Sequence, residues 1–416
     1  MNSNIDMNKV FIPDAGVVRV DTFSDMYPLV NYYIFTQKEY EESRDGKVKE
    51  MLDMKTTLLN PYRRCVGGCE RDINIFFLLA EAMWIALGRK DVAFLTLFNK
   101  KMSDFSDDGK TFHAPYGYRL RHFGIRTEDS FVDDNLNASK GYDQVIDAIK
   151  IFTENPNSRQ VVMSIWNPNF DLGYKTKDIP CNDMVMLKIR NGKLITTIQN
   201  RSNDLHWGLP TNIFQFSFLT ELMAGALGVE LGTQTHNSQS LHIYEWNDIA
   251  SKMSETFAKK RKGEDGIILS MYDEAEAQER RMDFNFSHEI PANRFREIEY
   301  NLSIVLNNLQ RIAEGEKPNS DEIQQLANFS KYLFNSYHLL RIYLEYKHKM
   351  TFLKTVEEKD LARHTAISEI EVLEANMFDD EGRGGDGFNW DISMLAKNFF
   401  ASRLSVKVNH EYLGKL

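Results

Sequence analysis

Between Asp178 and Tyr244 the chain sets several polar groups inside strongly apolar sequence. Cys181 follows a proline, and Arg201, Ser202, Asn203 and Asp204 form a polar cluster. A Gly-Leu-Pro-Thr-Asn turn runs from Gly208 to Asn212, and His242 and Tyr244 make a His-x-Tyr pair. Polar groups spaced through core-forming residues cost stability unless they are satisfied, so a site is the economical explanation. A cysteine is a nucleophile only as its thiolate, which needs access and a cationic neighbour. Arg201 offers that cation, although a lone cysteine also serves plain packing. His242 and Tyr244, two residues apart on a short strand, point to one face.

The elements that must position these groups are legible around them. MVMLKIR and KLITTIQN, joined by Asn191-Gly192, carry the strongest short-range hairpin signal, which puts Cys181 just ahead of a strand. Asn212 to Leu227 is an apolar helix with Asn212 at its N-cap, and capping alone accounts for that residue. Asp72 to Gly88 reads as a helix capped by Asp72 and apolar all round, hence buried. Glu81 is its one carboxylate past the first residue, with Trp84 on the same face. A buried, unpaired carboxylate is expensive, so Glu81 is hydrogen-bonded in a polar pocket or sits at the helix edge. Gln144 to Phe152 is an amphipathic helix that stops before Asn155-Pro156, and Arg159 sits where the following loop enters a strand.

Asn60 to Arg71 is a turn-rich loop whose Arg63 and Arg64 precede Gly67-Gly68. It is a plain surface loop, or a phosphate-holding one if other residues also point to phosphate. Tyr116, Tyr118, Arg119 and Arg121 either line a pocket or pack at an edge with snorkelling arginines. Residues 1 to 60 combine β-like runs, GVVRVDTF and YPLVNYYIF, with a charged KEYEESRDGKVKEM that reads as solvated helix or loop. From Asn293 to about Leu373 the pattern is helical, and EGRGGDG near residue 384 reads as a flexible joint.

At 416 residues, 42% hydrophobic and 26% charged, the sequence is ordinary for a globular protein and long enough for two domains. A net charge of -10 and a pI near 5.6 argue against a surface built for nucleic acid and fit a small anionic ligand better. Cys65, Cys69 and Cys181 leave at least one free thiol, and a CxxxC without a second pair gives no zinc site. The N-terminus has no signal-peptide pattern and no run reaches membrane-spanning length, so a cytoplasmic location is expected.

Taken in order, these residues resemble the thymidylate synthase superfamily, which also contains the pyrimidine nucleotide hydroxymethylases. The resemblance rests on Pro180-Cys181, on RSxDxxxGxPxN from Arg201 to Asn212, and on HxxxxxHxY from His236 to Tyr244. Glu81 and Trp84 (ExxW), Pro115 to Arg121 (PxYGxxxR) and Ser158-Arg159 before Trp166 follow the family's order. Roughly residues 60 to 250 are covered.

The resemblance implies an α+β fold: a thymidylate synthase-like mixed sheet with surrounding helices over residues 1–250, and a mainly helical extension of unassigned role over 251–416. It implies a one-carbon transferase that uses 5,10-methylenetetrahydrofolate and no metal, acting on a pyrimidine deoxynucleoside monophosphate as a homodimer with a shared active site. Cys181 would add to C6 of the pyrimidine and later leave, making C5 nucleophilic. Arg201, Ser202 and Arg159, the last reaching across the dimer, would hold the phosphate, with Arg63 or Arg64 as a further arginine from a mobile loop. Glu81 would organise proton transfer through water and Tyr116 would assist removal of the C5 proton. Asp204, Trp84 and Gly208 would face the folate, and His242 and Tyr244 would bind the sugar 3′-hydroxyl. Asn212 would choose the base: an amide donates to O4 and accepts from N3–H of uracil, where cytosine-specific relatives carry an aspartate.

Departures from the family pattern bear on the product. Asn182 follows the cysteine where thymidylate synthases usually have histidine, Gln160 replaces a usual second arginine, and helical sequence replaces the short closing tail. A site closed and hydrated differently would let water, rather than hydride from the folate, complete the reaction. The expected activity is conversion of dUMP to 5-hydroxymethyl-dUMP, typical of phage-type DNA modification. Thymidylate synthesis, dCMP or CMP hydroxymethylation and a catalytically silent nucleotide-binding assembly module are the alternatives.

Overall fold

The computed structural model describes residues 10–12, 16–43, 46–65, 73–124, 141–262, 281–375 and 390–404. Gly67-Gly68, Cys69, Asp72 and the EGRGGDG stretch lie outside the described residues. The first elements are β1 (Val10–Ile12), β2 (Val17–Val20), α1 (Phe23–Phe35), β3 (Glu41–Ser43), β4 (Gly46–Leu58), α2 (Ile75–Ala86), α3 (Val92–Thr96) and α4 (Tyr116–Arg121). Next come α5 (Gln144–Glu154), β5 (Val162–Ser164), α6 (Pro168–Asp171), β6 (Asn182–Arg190), β7 (Lys193–Asn200), β8 (Asn203–Asp204), α7 (Gly208–Leu227) and β9 (Glu230–Tyr244). Helices α8 (Asp248–Lys262), α9 (Pro291–Ala313), α10 (Ser320–Phe329), α11 (Lys331–Met350), α12 (Val356–Ala375) and α13 (Trp390–Ala401) complete the described chain.

The strands form one mixed, nine-stranded sheet in the order β1-β2-β4-β9-β7-β6-β5, with β3 added to β4 and β8 to β9. The β6–β7 hairpin turns at Asn191 and Gly192, both at positive φ (52° and 71°), as a two-residue turn between twisted strands requires. Alternation then sorts the faces. Val185, Leu187 and Ile189 are buried with Leu194, Thr196 and Ile198, whereas Met184, Met186, Ile195 and Thr197 are half-buried on the opposite face.

Helix α7 lies on strands β7 to β9 and is itself covered by α2, α5 and α9, which is why its sequence is apolar nearly all round. It starts at Gly208, a turn earlier than the sequence implied. Asn212 is therefore no N-cap but an internal residue of the helix, its side chain turned toward other amides. Asp204 holds the start instead, its Oδ1 accepting the amides of His206 at 2.6 Å and Trp207 at 2.5 Å. Similarly α2 begins at Ile75, capped by Asn74, which accepts the Phe77 amide at 3.1 Å.

Two expectations for the N-terminal region are corrected. YPLVNYYIF is not a strand but most of α1, capped by Thr22 at 3.1 Å from the Asp25 amide, with Met26, Tyr27, Val30 and Ile34 buried at helical spacing. Within KEYEESRDGKVKEM, Glu41–Ser43 and the residues from Gly46 on are not helix or loop but strand, β3 and the start of β4, because β9 offers β4 a long antiparallel partner and pairing outweighs the charged side chains.

The C-terminal region is helical, as its pattern implies, and packs directly on the sheet's helices. Tyr343 of α11 stacks on Phe76 of α2 with centroids 4.4 Å apart, while Phe399 and Phe400 of α13 close on the same ring. Hydrophobic packing runs unbroken from Val18 to Phe400, across the change in sequence character at residue 250. Among the described residues no helix is long and apolar enough to cross a membrane.

Candidate active site

Because β6 begins at Asn182, Cys181 stands half-buried at the strand's start. Backbone groups fix Arg201 beside it: Nε donates to the Pro180 carbonyl at 2.8 Å, Nη2 to the Ile179 carbonyl at 3.2 Å, and the Arg201 amide to the Cys181 carbonyl at 3.0 Å. Nη2 is thereby 3.7 Å from Cys181 Sγ, which gives the sulfur the cationic neighbour a nucleophilic thiolate needs. The guanidinium also lies over the Trp166 ring at 5.9 Å. Next along β6, burial pushes the Asp183 carboxyl up to about 6, against the opposing pull of Arg201.

Two helices bring acid–base groups to the same region. Burial on α2 pushes Glu81 up to about 8, eased by a hydrogen bond from Gln215 of α7, so this carboxyl carries a proton at neutral pH. Its Oε2 is buried without a hydrogen-bond partner among the described residues, a place for a water or a substrate atom. Tyr116 opens α4 with its hydroxyl against the Cys181 backbone and the Asn182 amide; burial, then the charges of Cys181 and Asp178, raise its pKa and keep it protonated. Gly117 permits the approach, since a Cβ there would meet the Ile85 carbonyl oxygen of α2 at 2.1 Å.

Behind Cys181 runs a buried row of amides. Asn200 donates to Asn182 Oδ1, Asn182 Nδ2 to Asn212 Oδ1 at 3.0 Å, Asn212 Nδ2 to Asn203 Oδ1 at 3.2 Å, and Asn203 Nδ2 to Ser238 Oγ at 3.1 Å. At the other end His236 Nδ1 is 3.3 Å from Asn200 Oδ1, and its Nε2 is 2.9 Å from Gln234 Nε2. Burial pushes His236 down to about 3, so the ring is neutral. Gly208 leaves room for the row: a Cβ there would lie 2.9 Å from Asn203 Oδ1. Sequence reading missed Asn200 and Gln234, although polar side chains on the core-facing side of β7 and β9 were an available signal.

β8 pairs with β9 so that Asp204 stands opposite His242. Burial lowers the His242 pKa, against the charges of Asp204 and Glu50, and its ring meets Tyr244 edge-on at 5.3 Å. Ser202 is half-buried next to Arg201. Arg159 is exposed ahead of β5, and no hydrogen bond or ion pair among the described residues ties it to the Cys181 cluster.

Other expected residues are held by partners of their own. Arg64 stands in the loop after β4 but its side chain turns inward: it is fully buried, ion-paired with Glu221 of α7 and set 5.6 Å from the Phe214 ring centroid, which leaves the half-buried Arg63 as the candidate. Arg119 and Arg121 do not snorkel; they are buried partners of Asp171 and Asp143 at 2.9 and 2.8 Å. Trp84 is 3% exposed, edge-on to Phe112, with Nε1 3.3 Å from Asp91, so it acts as a packed wall.

A half-buried cysteine beside an arginine thus stands with a tyrosine and an asparagine at the start of β6, and α2 carries a protonated buried glutamate bonded to Gln215 of α7. The thymidylate synthase family model matches residues 66–301, more than half of the chain. The chain belongs to the thymidylate synthase family. Within it, the deoxyuridylate hydroxymethyltransferase of Bacillus phage SP01 is 43% identical over 218 residues, covering 52% of this chain and 55% of that protein. The protein of the same description from Pseudomonas phage M6 is 36% identical over 232 residues, 55% of this chain and 62% of its own length. Thymidylate synthase 1/2 of Encephalitozoon cuniculi is 38% identical over 129 residues, 31% of this chain and 42% of that protein. The chain therefore spans little more than half the length of the phage relatives it matches.

Thymidylate synthase family enzymes use methylenetetrahydrofolate as cosubstrate. The residues here fit it in their chemistry: Glu81 presents an oxygen without a partner among the described residues, and half-buried Asp204 stands at the start of α7 beside Gly208.

Proposed function

We propose that the protein is a dUMP C5 hydroxymethyltransferase that makes 5-hydroxymethyl-dUMP and tetrahydrofolate from dUMP, 5,10-methylenetetrahydrofolate and water. The observation that carries this reading is the pair Cys181–Asn182. It joins a nucleophile held beside Arg201 to an amide, in place of histidine, bonded to Asn212. The activity named for the phage relatives supports the same product.

Cys181 adds to C6 of uracil and leaves at the end, its charge supported by Arg201. Methylenetetrahydrofolate supplies the one-carbon unit for C5, with Asp204 and Gly208 facing it. The Tyr116 hydroxyl, held at the Cys181 backbone, assists removal of the C5 proton, and protonated Glu81 orients the water that becomes the hydroxymethyl oxygen. Asn212 contacts the uracil edge, His242 and Tyr244 the sugar 3′-hydroxyl, and Arg201, Ser202 and Arg63 the phosphate.

Arg159 comes from a second copy of the chain in this reading. It is exposed and apart from its own Cys181 cluster, while Met184, Met186, Ile195 and Thr197 leave a half-buried sheet face suited to a twofold contact. Chromatography of the products from dUMP and methylenetetrahydrofolate tests the function. 5-Hydroxymethyl-dUMP with tetrahydrofolate is expected; dTMP with dihydrofolate sinks the hydroxymethyl reading, and neither product from the folded protein sinks catalysis.

A further inference from the structure

We infer that the buried amide row is a one-way hydrogen-bond relay that fixes which way round Asn212 faces the base, and that Asn200 and Gln234 are its positioning residues for uracil over cytosine. The inference rests on the proposed role of Asn212 at the uracil edge.

Asparagine by itself is ambivalent. Rotated half a turn, its amide exchanges donor and acceptor, so it pairs with the N3–H and O4 of uracil or equally with the N3 and 4-amino group of cytosine. Discrimination requires something that forbids the rotation.

The row supplies it, starting from a group with no choice. The Ile213 carbonyl can only accept, so the Gln234 atom 3.2 Å away is the donating Nε2. That nitrogen also faces His236 Nε2 at 2.9 Å, so Nε2 accepts and the single hydrogen of the neutral ring sits on Nδ1. Nδ1 donates to Asn200 Oδ1 at 3.3 Å, which turns the Asn200 nitrogen toward Asn182 Oδ1. Asn182 Nδ2 then donates to Asn212 Oδ1, and Asn212 Nδ2 to Asn203 Oδ1. The far end, Ser238 Oγ, is a hydroxyl that donates or accepts with equal ease and imposes nothing. Polarity is therefore set at Ile213 and carried to Asn212 through Asn200.

In this orientation Asn212 retains one acceptor position and one N–H, the complement of uracil N3–H and O4. Turning it for cytosine would oppose two N–H groups at Asn182 and two oxygens at Asn203, both in buried surroundings where mispaired polar groups are costly.

The test is calorimetric binding of dUMP and dCMP to the full chain, which needs no turnover. Wild type is expected to prefer dUMP. Asn200→Ala removes the donor that orients Asn182, and the preference should fall about tenfold or more through a gain in dCMP affinity, which general damage would not produce. Gln234→Met, remote from the base, should move the ratio the same way and decides the matter if Asn200→Ala does not fold. An unchanged ratio, or equal losses for both nucleotides, in a folded variant overturns the relay. Wild type that binds neither nucleotide, or prefers dCMP, overturns instead the proposed function on which the relay rests.

Discussion

A half-buried thiol 3.7 Å from a guanidinium and a glutamate that keeps its proton near neutrality are the two groups on which the proposed chemistry turns. Cys181→Ala should abolish release of tritium from C5 of labelled dUMP, by at least about 10³-fold, while nucleotide binding persists. Glu81→Gln should lower turnover by about 10²–10⁴-fold. Its stability has a definite sign as well. With a pKa raised from 4.5 to about 8, folded Glu81 holds a proton that the unfolded chain loses, so stability falls as pH rises through that interval. Thermal melts should show Glu81→Gln matching wild type at acid pH and gaining on it toward pH 8. A constant difference across that range would contradict the raised pKa. Cys181, Arg201 and Asn212 were singled out in the sequence through the family's residue spacing, Asn212 against a local capping pattern that the helix start at Gly208 corrects. Asn200 and Gln234 were not, since only the β7–β9 register brings them to His236 and Asn182.

Among the elements, α4 closes on α2 only because Gly117 permits it. Gly117 sits where α4 crosses α2, and any side chain there meets the Ile85 backbone. Gly117→Ala should therefore destabilise the fold by about 1–3 kcal/mol and lower turnover by displacing Tyr116, read from melting curves and kinetics side by side. Wild-type stability in that variant would show that the helices are not so tightly held. Element identity was legible for the β6–β7 hairpin, where Asn191-Gly192 declares the turn. It was not for β4, whose charged sequence becomes a strand through pairing with β9, far along the chain. For α1, β-forming residues mask a helical burial spacing that Thr22 starts by capping.

At the scale of the molecule, the helical extension bears on the site through α2. Phe76, one turn and a half before Glu81, stacks on Tyr343, whose hydroxyl donates to the Phe98 carbonyl at 3.2 Å. Tyr343→Ala should cost about 3 kcal/mol in urea unfolding and lower turnover by loosening α2; loss of stability with intact turnover would separate the extension from catalysis. If the active site is shared, mixing Arg159→Ala with Cys181→Ala protein should restore activity that neither has alone, and no restoration would place Arg159 outside the site.

The central claim is that water, not hydride, completes the reaction beside Cys181 and Asn182. Turnover of dUMP and methylenetetrahydrofolate in heavy-oxygen water, followed by mass spectrometry of the nucleotide, tests it most directly. The predicted product is 5-hydroxymethyl-dUMP with the heavy isotope in its new hydroxyl group. Unlabelled dTMP formed together with dihydrofolate would contradict it.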